Sequence, residues 1–115
     1  MILPSNAKRL RIYTGEMDRH GSQALSDLIV EEAARRHLAG ATVLRGMSGY
    51  GANSRVKSDK ILVLSQDLPM VIEIVDTEEK IKPFLEWLDG VVREGLVTVE
   101  NVEVFAYRHK DGEKH

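Results

Sequence analysis

Four strand-like stretches and two helix-like stretches, in the order β-α-β-β-α-β, predict an α+β chain. Two observations carry this expectation. Residues 7–14 alternate Leu10 and Ile12 with Arg9 and Arg11, the period of a half-buried strand. Ile81, Phe84, Leu85, Leu88, Val91 and Val92 recur at helical spacing, the strongest such pattern in the chain. Two right-handed crossovers then place both helices on one face of a four-stranded antiparallel sheet, the ferredoxin-like arrangement.

The elements follow in order. After the first strand a polar loop runs over residues 15–21. Ser22 is positioned to cap a helix reaching residue 39, with Leu25, Leu28, Ile29, Ala33 and Leu38 as its apolar side and Gly40 as its left-handed stop. Residues 42–47 form a short strand. Residues 46–60 hold glycines, serines and charges without an apolar period and read as a long loop, expected to be mobile over 52–59. Residues 61–64 start the next strand and 70–75 complete it, with Pro69 ahead of that second stretch. Asp76 stands where a cap for the second helix belongs, with Glu79 three residues on. Pro83 predicts a kink or an irregular first turn, since an interior proline costs about 3 kcal/mol. Gly95 ends that helix. The last strand covers 96–107, and its phase shift at Glu100-Asn101 suggests a bulge or bend.

Composition narrows the class. The 115 residues suit one domain, 1–115, with an ordered core over 7–107 and a polar tail over 108–115. A net charge of −2 excludes a protein that coats polyanions through bulk charge, and no nucleic-acid partner is expected. The chain has no cysteine, so disulfides, thiolate metal sites and cysteine nucleophiles are excluded. No apolar run approaches the roughly 20 residues of a membrane span, and the N-terminus lacks the features of a signal peptide. The expected location is the cytoplasm. Apolar residues occur in both phases of the third and fourth strands, so both sheet faces need cover, and oligomerisation is the simplest cover.

The chemistry concentrates in residues 45–60. Glycines let backbone amides approach a phosphate, Arg45, Arg55, Lys57 and Lys60 supply opposite charge, and serines supply donors. No Gly-Lys-Ser/Thr closes the loop and no helix follows its glycines, so it is neither a Walker loop nor a dinucleotide fingerprint. On composition it reads equally as a solvated β-β connection. The histidines are scattered and predict no metal site; His20, beside Glu16 and Asp18, is the best candidate among them. The adjacent pairs Glu31-Glu32 and Glu78-Glu79 point about 100° apart on a helix and make no acid–base dyad. No serine has a histidine at nucleophile spacing, and no catalytic residue is assigned. Trp87 is expected at the edge of the core.

The run Gly40-Ala41-Thr42-Val43-Leu44-Arg45-Gly46-Met47-Ser48-Gly49-Tyr50-Gly51 is similar to the second strand and T-loop entry of PII-type (GlnB-like) signalling proteins. That run, with Arg11-Ile12-Tyr13-Thr14-Gly15-Glu16, Asp67-Leu68-Pro69, Ile72-Glu73-Ile74-Val75-Asp76 and Gly95-Leu96-Val97-Thr98, resembles a PII-like branch, the domain-of-unknown-function family one-ninety. The resemblance implies a homotrimer with inward-facing sheets, nucleotide clefts between subunits, and no enzymatic activity. It implies that Gly46, Gly49, Tyr50, Gly51, Arg55 and Lys60 hold the nucleotide from the loop, and Arg108 from the neighbouring copy. The family's Gly-Asp-Gly-Lys phosphate grip is reduced here to Glu94-Gly95-Leu96, and Ala52 stands where an arginine is expected, with Arg55 as its substitute. The thinner positive charge favours AMP or ADP over a triphosphate. The loop over 46–60 would signal to a partner protein, a membrane transporter or fluoride channel. Two alternatives stand beside this reading: a small acylphosphatase-type enzyme, opposed by the two acids of the loop over 15–20, and a CutA-like metal-binding trimer.

Overall fold

The alternating residues at the start of the chain become β1 (Asn6–Gly15), the strand on which the sheet is built. The computed structural model describes residues 6–50 and 67–108. Beyond β1 it contains β2 (Arg19–His20), β3 (Gln23–Ala24), α1 (Leu25–Arg35), β4 (Ala41–Arg45), β5 (Pro69–Asp76), α2 (Glu78–Asp89) and β6 (Leu96–Glu103). The main sheet has the order β4-β5-β1-β6, and every pairing is antiparallel. Leu10, Ile12, Ile72 and Ile74 on one face meet Leu25, Ile29 and Ala33 of α1 and Ile81, Phe84 and Leu88 of α2 in a single core cluster. Both helices thus cover the same sheet face, as the ferredoxin-like order requires.

Several boundaries differ from the sequence expectation. The loop over 15–21 gives rise to a small hairpin, β2 with β3, turning at Gly21 (φ +65°). Ser22 lies in that turn and does not cap α1: Ala24 takes the cap position without a side-chain bond, and the Leu25 amide donates to the Asp18 carbonyl. The helix ends early because His37, at φ +59°, takes the left-handed position instead of Gly40. The His37 amide donates to Ala34 and the Leu38 amide to Ala33, the paired bonds of a Schellman stop, with Leu38 buried behind it.

At α2 the cap is Thr77, whose hydroxyl accepts from the Lys80 amide, and not Asp76. Asp76 is fully buried and accepts from the Ala39 and Thr77 amides, which ties the α1–β4 connection to the start of α2. The helix shows no break at Pro83, which is exposed on its outer side. It stops at Asp89 with Gly90 as cap, so Val91 and Val92 follow the helix as a turn before Gly95. Trp87 packs at the edge of the core, 5.3 Å ring to ring from Phe84.

The register of β1 with β6 is unbroken from Asn6–Glu103 to Tyr13–Leu96, so there is no bulge at Glu100-Asn101. The strand instead ends at Glu103, and the chain leaves the sheet. Tyr107 then donates its hydroxyl to the Ala39 carbonyl, beside β4 at the opposite edge of the sheet. The expected strand start over 61–64 and the mobile stretch over 52–59 lie outside the described residues.

The second sheet face is not uniformly apolar. Leu44, Val71, Tyr13 and Leu96 stand directly opposite one another across all four strands. The next row holds Thr42, Glu73, Arg11 and Thr98, and beyond it Val75, Arg9 and Glu100. Arg11 meets Glu73 at 2.8 Å and Glu100 at 3.4 Å, and Arg9 meets Glu100 at 2.7 Å. Arg9 holds the Glu100 carboxyl below the usual carboxylate range. An apolar bar therefore crosses one end of this face and an ion-pair ladder its middle.

Glu32 on α1 is buried and accepts from Arg35 and from Arg36, and these bonds hold its carboxyl below its ordinary value. A depressed folded-state value stabilises the fold above the unfolded glutamate value of about 4.3 and is lost as pH falls through the folded value. Glu32→Gln is accordingly expected to melt below wild type at neutral pH, with the gap closing in acid. A gap that stays constant across an acid titration of the melting temperature would contradict this role.

Candidate functional site

The loop predicted to carry the chemistry leaves the sheet after β4 and returns at β5, and both stems meet one short stretch of chain. The Gly46 amide donates to the Pro69 carbonyl at 2.7 Å. A Cβ on Gly46 would lie 2.7 Å from the Pro69 ring, and one on Gly49 (φ +141°) 3.4 Å from it. Gly46 is therefore required by the close approach of the outgoing stem to the returning one, and Gly49 by its positive φ. On the returning side, the Asp67 carboxylate accepts from the Met17 amide at 3.0 Å and the Leu68 carbonyl accepts from the Glu16 amide at 2.7 Å. Gly15 leaves room for this, since a Cβ there would overlap the Asp67 carboxylate. Arg45 reaches Glu16 at 3.2 Å and closes the ring of contacts.

Gly46, Gly49 and Tyr50 thus sit together at one end of the β4–β5 pair, with Tyr50 exposed. Arg108 lies elsewhere. Tyr107, the residue before it, is anchored on Ala39 ahead of β4, and the length of β4, roughly 13 Å at about 3.3 Å per residue, separates that anchor from the Gly46 end. Gly51, Arg55 and Lys60 lie outside the described residues.

A hollow of about 450 Å³ opens on the second sheet face between Ala39–Thr42, Glu73 and Val75 on one side and Val104, Ala106 and Tyr107 on the other. Its walls are largely small and apolar, with Thr42 and Glu73 as polar points. Sequence reasoning missed Glu73 and Tyr107 as parts of this hollow. The alternation of β5 put Glu73 on the second face, but only the unexpected exit of the chain at Glu103 brings Tyr107 there. It also missed Asp67 as the residue that seats the returning stem; its pairing with Gly15 lies 52 positions away in sequence.

A larger cleft of about 570 Å³ lies between the β1–α1 connection and the α2–β6 turn, lined by Met17, Asp18, Arg19, His20, Leu25, Val91, Arg93 and Glu94. No group of three metal-ligating side chains forms among the described residues, His20 included. No described helix is long and apolar enough to cross a membrane.

Comparison with known proteins agrees with this architecture. Residues 7–104 match the family model DUF190, described as an uncharacterized ACR. A UPF0166 protein of Aquifex aeolicus is 43% identical over 97 residues, covering 84% of this chain and 91% of its own. Among solved structures, CPII of Thiomonas intermedia K12, a nitrogen regulatory PII-like protein bound to ADP, AMP and bicarbonate, superposes with a TM-score of 0.65 at 20% identity, over 86% of this chain and 88% of its own. GlnK of B. subtilis superposes with a TM-score of 0.55 at 15% identity, over 96% of each chain.

Proposed function

The chain belongs to the DUF190 family and has the PII-like fold, and on that premise we propose that it is a non-enzymatic, homotrimeric, cytoplasmic regulator that binds an adenine nucleotide between subunits. The observation that carries this reading is the fold shared with CPII, a protein solved with ADP and AMP bound. Two features of the chain support it. The hollow beside Tyr107 offers small apolar walls with Thr42 and Glu73 as polar points, which suits the flat, polar-edged adenine ring. Gly46, Gly49 and Tyr50 stand a strand's length away, so a neighbouring copy must supply the opposite wall of a complete site. The Leu44–Val71–Tyr13–Leu96 bar, with Leu44 52% and Leu96 54% exposed, supplies the apolar contact for such a copy.

In this scheme Arg108 of one subunit and Gly51, Arg55 and Lys60 of the next close on the phosphates. AMP or ADP is preferred, because few cations converge there. The nucleotide orders the loop over 46–60, and the ordered loop engages a partner protein, a membrane transporter or fluoride channel. Ordering a segment by ligand is an established kind of switch.

Calorimetry with AMP, ADP and ATP tests the reading, together with light scattering for a mass three times the 12.9 kDa of one chain. Removing one charge-assisted contact costs about 1.5–3 kcal/mol, so Arg108→Ala is expected to weaken binding about 10–150-fold. Failure of all three nucleotides to bind the wild type at millimolar levels, or a monomer mass, overturns it.

A further inference from the structure

The turn between β1 and the β2–β3 hairpin has partners on two sides. On one side it meets the loop stems. The Glu16 amide donates to the Leu68 carbonyl at 2.7 Å, the Met17 amide donates to the Asp67 carboxylate at 3.0 Å, and the Glu16 carboxylate pairs with Arg45 on the outgoing stem. On the other side it meets α1. The Asp18 carbonyl accepts from the Leu25 amide at 2.9 Å, at a helix start that has no side-chain cap. Two bonds between its ends close the turn: the Asp18 amide donates to the Gly15 carbonyl at 3.1 Å, and the Gly15 amide donates to the Asp18 carboxylate at 2.9 Å. Residues 15–18 thus join the base of the loop to the first turn of a helix.

This link stands where the sheet gives out. The last pairs of the register are Gly15–Pro69 between β1 and β5 and Arg45–Met70 between β4 and β5. Asp67, two residues beyond, has φ +37°, a left-handed angle that a residue with a side chain takes at a cost. Its carboxylate fills the space that a Cβ on Gly15 would occupy. The strained angle, the missing Cβ and the bond to Met17 therefore belong to one arrangement. Opening that bond relieves the strain, which brings the open form closer in energy than the contacts alone imply. The Arg45–Glu16 pair is accessible to solvent and adds little to the closed form.

We infer that residues 15–18 are a two-sided clasp, with Asp67 as its positioning residue, that couples the base of the loop over 46–60 to the start of α1. When the stem contacts open, the turn is released and the Asp18 carbonyl leaves the Leu25 amide. Local opening of this kind proceeds without unfolding the sheet. The coupling is reciprocal. A protein partner that grips the tip of the β2–β3 hairpin, where Arg19, His20, Gly21 and Ser22 are exposed, shifts the stems, and fixing the stems orders the start of α1.

The inference concerns the free chain and is independent of nucleotide binding, so hydrogen exchange read by NMR without nucleotide tests it. Asp67→Ala removes the acceptor of the Met17 amide, and that amide reports only the substitution. The Glu16, Gly46 and Leu25 amides keep their acceptors. All three are expected to exchange about tenfold faster in the variant, the effect of losing one hydrogen bond, while the amides of Leu10 and Ile72 at the centre of the sheet keep their wild-type rates. Asp67→Asn retains an oxygen acceptor and should exchange like wild type. Gly15→Ala adds no strain of its own, since Gly15 has no positive φ, but its methyl displaces the Asp67 carboxylate. It should reproduce the Asp67→Ala pattern, and the two changes together should do no more than either alone. Four results overturn the inference. One of the three amides keeps its wild-type rate, so the clasp is not a single unit. Leu10 and Ile72 quicken equally, so Asp67 supports the whole fold. Asp67→Asn exchanges as fast as Asp67→Ala, or the effects of Gly15→Ala and Asp67→Ala add, so the carboxylate contact is not what holds the turn.

Discussion

Phe84→Ala is expected to cost about 3–5 kcal/mol of folding stability, the range for truncating a fully buried phenylalanine. Phe84 has no exposed surface and lies at the centre of the cluster where α2 meets β1 and β5. Its loss removes more than core volume. The Trp87 ring lies 5.3 Å from it, and the Arg36 guanidinium sits 5.7 Å above it and 5.9 Å from Trp87. That stack closes the outer side of the helix pair, where Arg36 also binds Glu32. In a domain of this size the expected fall in melting temperature is about 10–20 °C. Phe105→Ala is the counterpart. Phe105 is 99% exposed in the single chain, so its truncation should change the stability of an isolated chain by less than about 0.5 kcal/mol. A loss below about 1 kcal/mol for Phe84→Ala would show that the core is not packed as described. A large loss for Phe105→Ala would show that another copy buries that ring.

What could be read from the residues follows from how local each signal is. The β1 alternation and the spacing along α2 are set by one face of one element, and both elements form where expected. Features decided by distant partners were not legible. Asp76 has the composition of a cap, but its acceptor oxygen is claimed by Ala39, 37 positions earlier, and the cap passes to Thr77. The start of α1 shifts from Ser22 because a backbone carbonyl, that of Asp18, receives the first helical amide. Hairpins of two-residue strands such as β2–β3 are too short to show a period. The phase change near Glu100 suggested a bulge or bend, but the register with β1 runs unbroken through Glu103. On the second face, Arg9, Arg11, Glu73 and Glu100 could be assigned to a side from alternation, but only the register makes them a ladder.

The candidate site divides in the same way. The glycine pattern points to amides near a phosphate, whereas in the fold Gly46 is what lets the Pro69 ring pack close and Gly49 takes a positive φ. The need for Gly15 came from Asp67, across the whole loop, and no local pattern contains it.

Gly95→Val is expected to be the most damaging substitution at any described glycine. Gly95 has φ +147°, a region that a β-branched residue enters only under strain. Such a dihedral alone costs of order 1–3 kcal/mol. A Cβ there would also lie 2.5 Å from the Tyr13 carbonyl, and that atom belongs to the central strand, so it cannot rotate away as a side chain could. Relief requires β6 to move off β1 at the Tyr13–Leu96 pair, the first of their register. That pair is half of the apolar bar offered to a neighbouring copy, and Glu94 beside it lines the cleft of about 570 Å³. Gly40→Val controls for the loss of a glycine as such, because nothing lies within 4 Å of a Cβ at Gly40 and its φ is not positive. In urea unfolding the first variant should lose several kcal/mol and the second almost none. If Gly95→Val unfolds within about 0.5 kcal/mol of wild type, the level of an ordinary surface change, then the turn into β6 is not held against Tyr13, and the cleft and the apolar bar lose the wall they share.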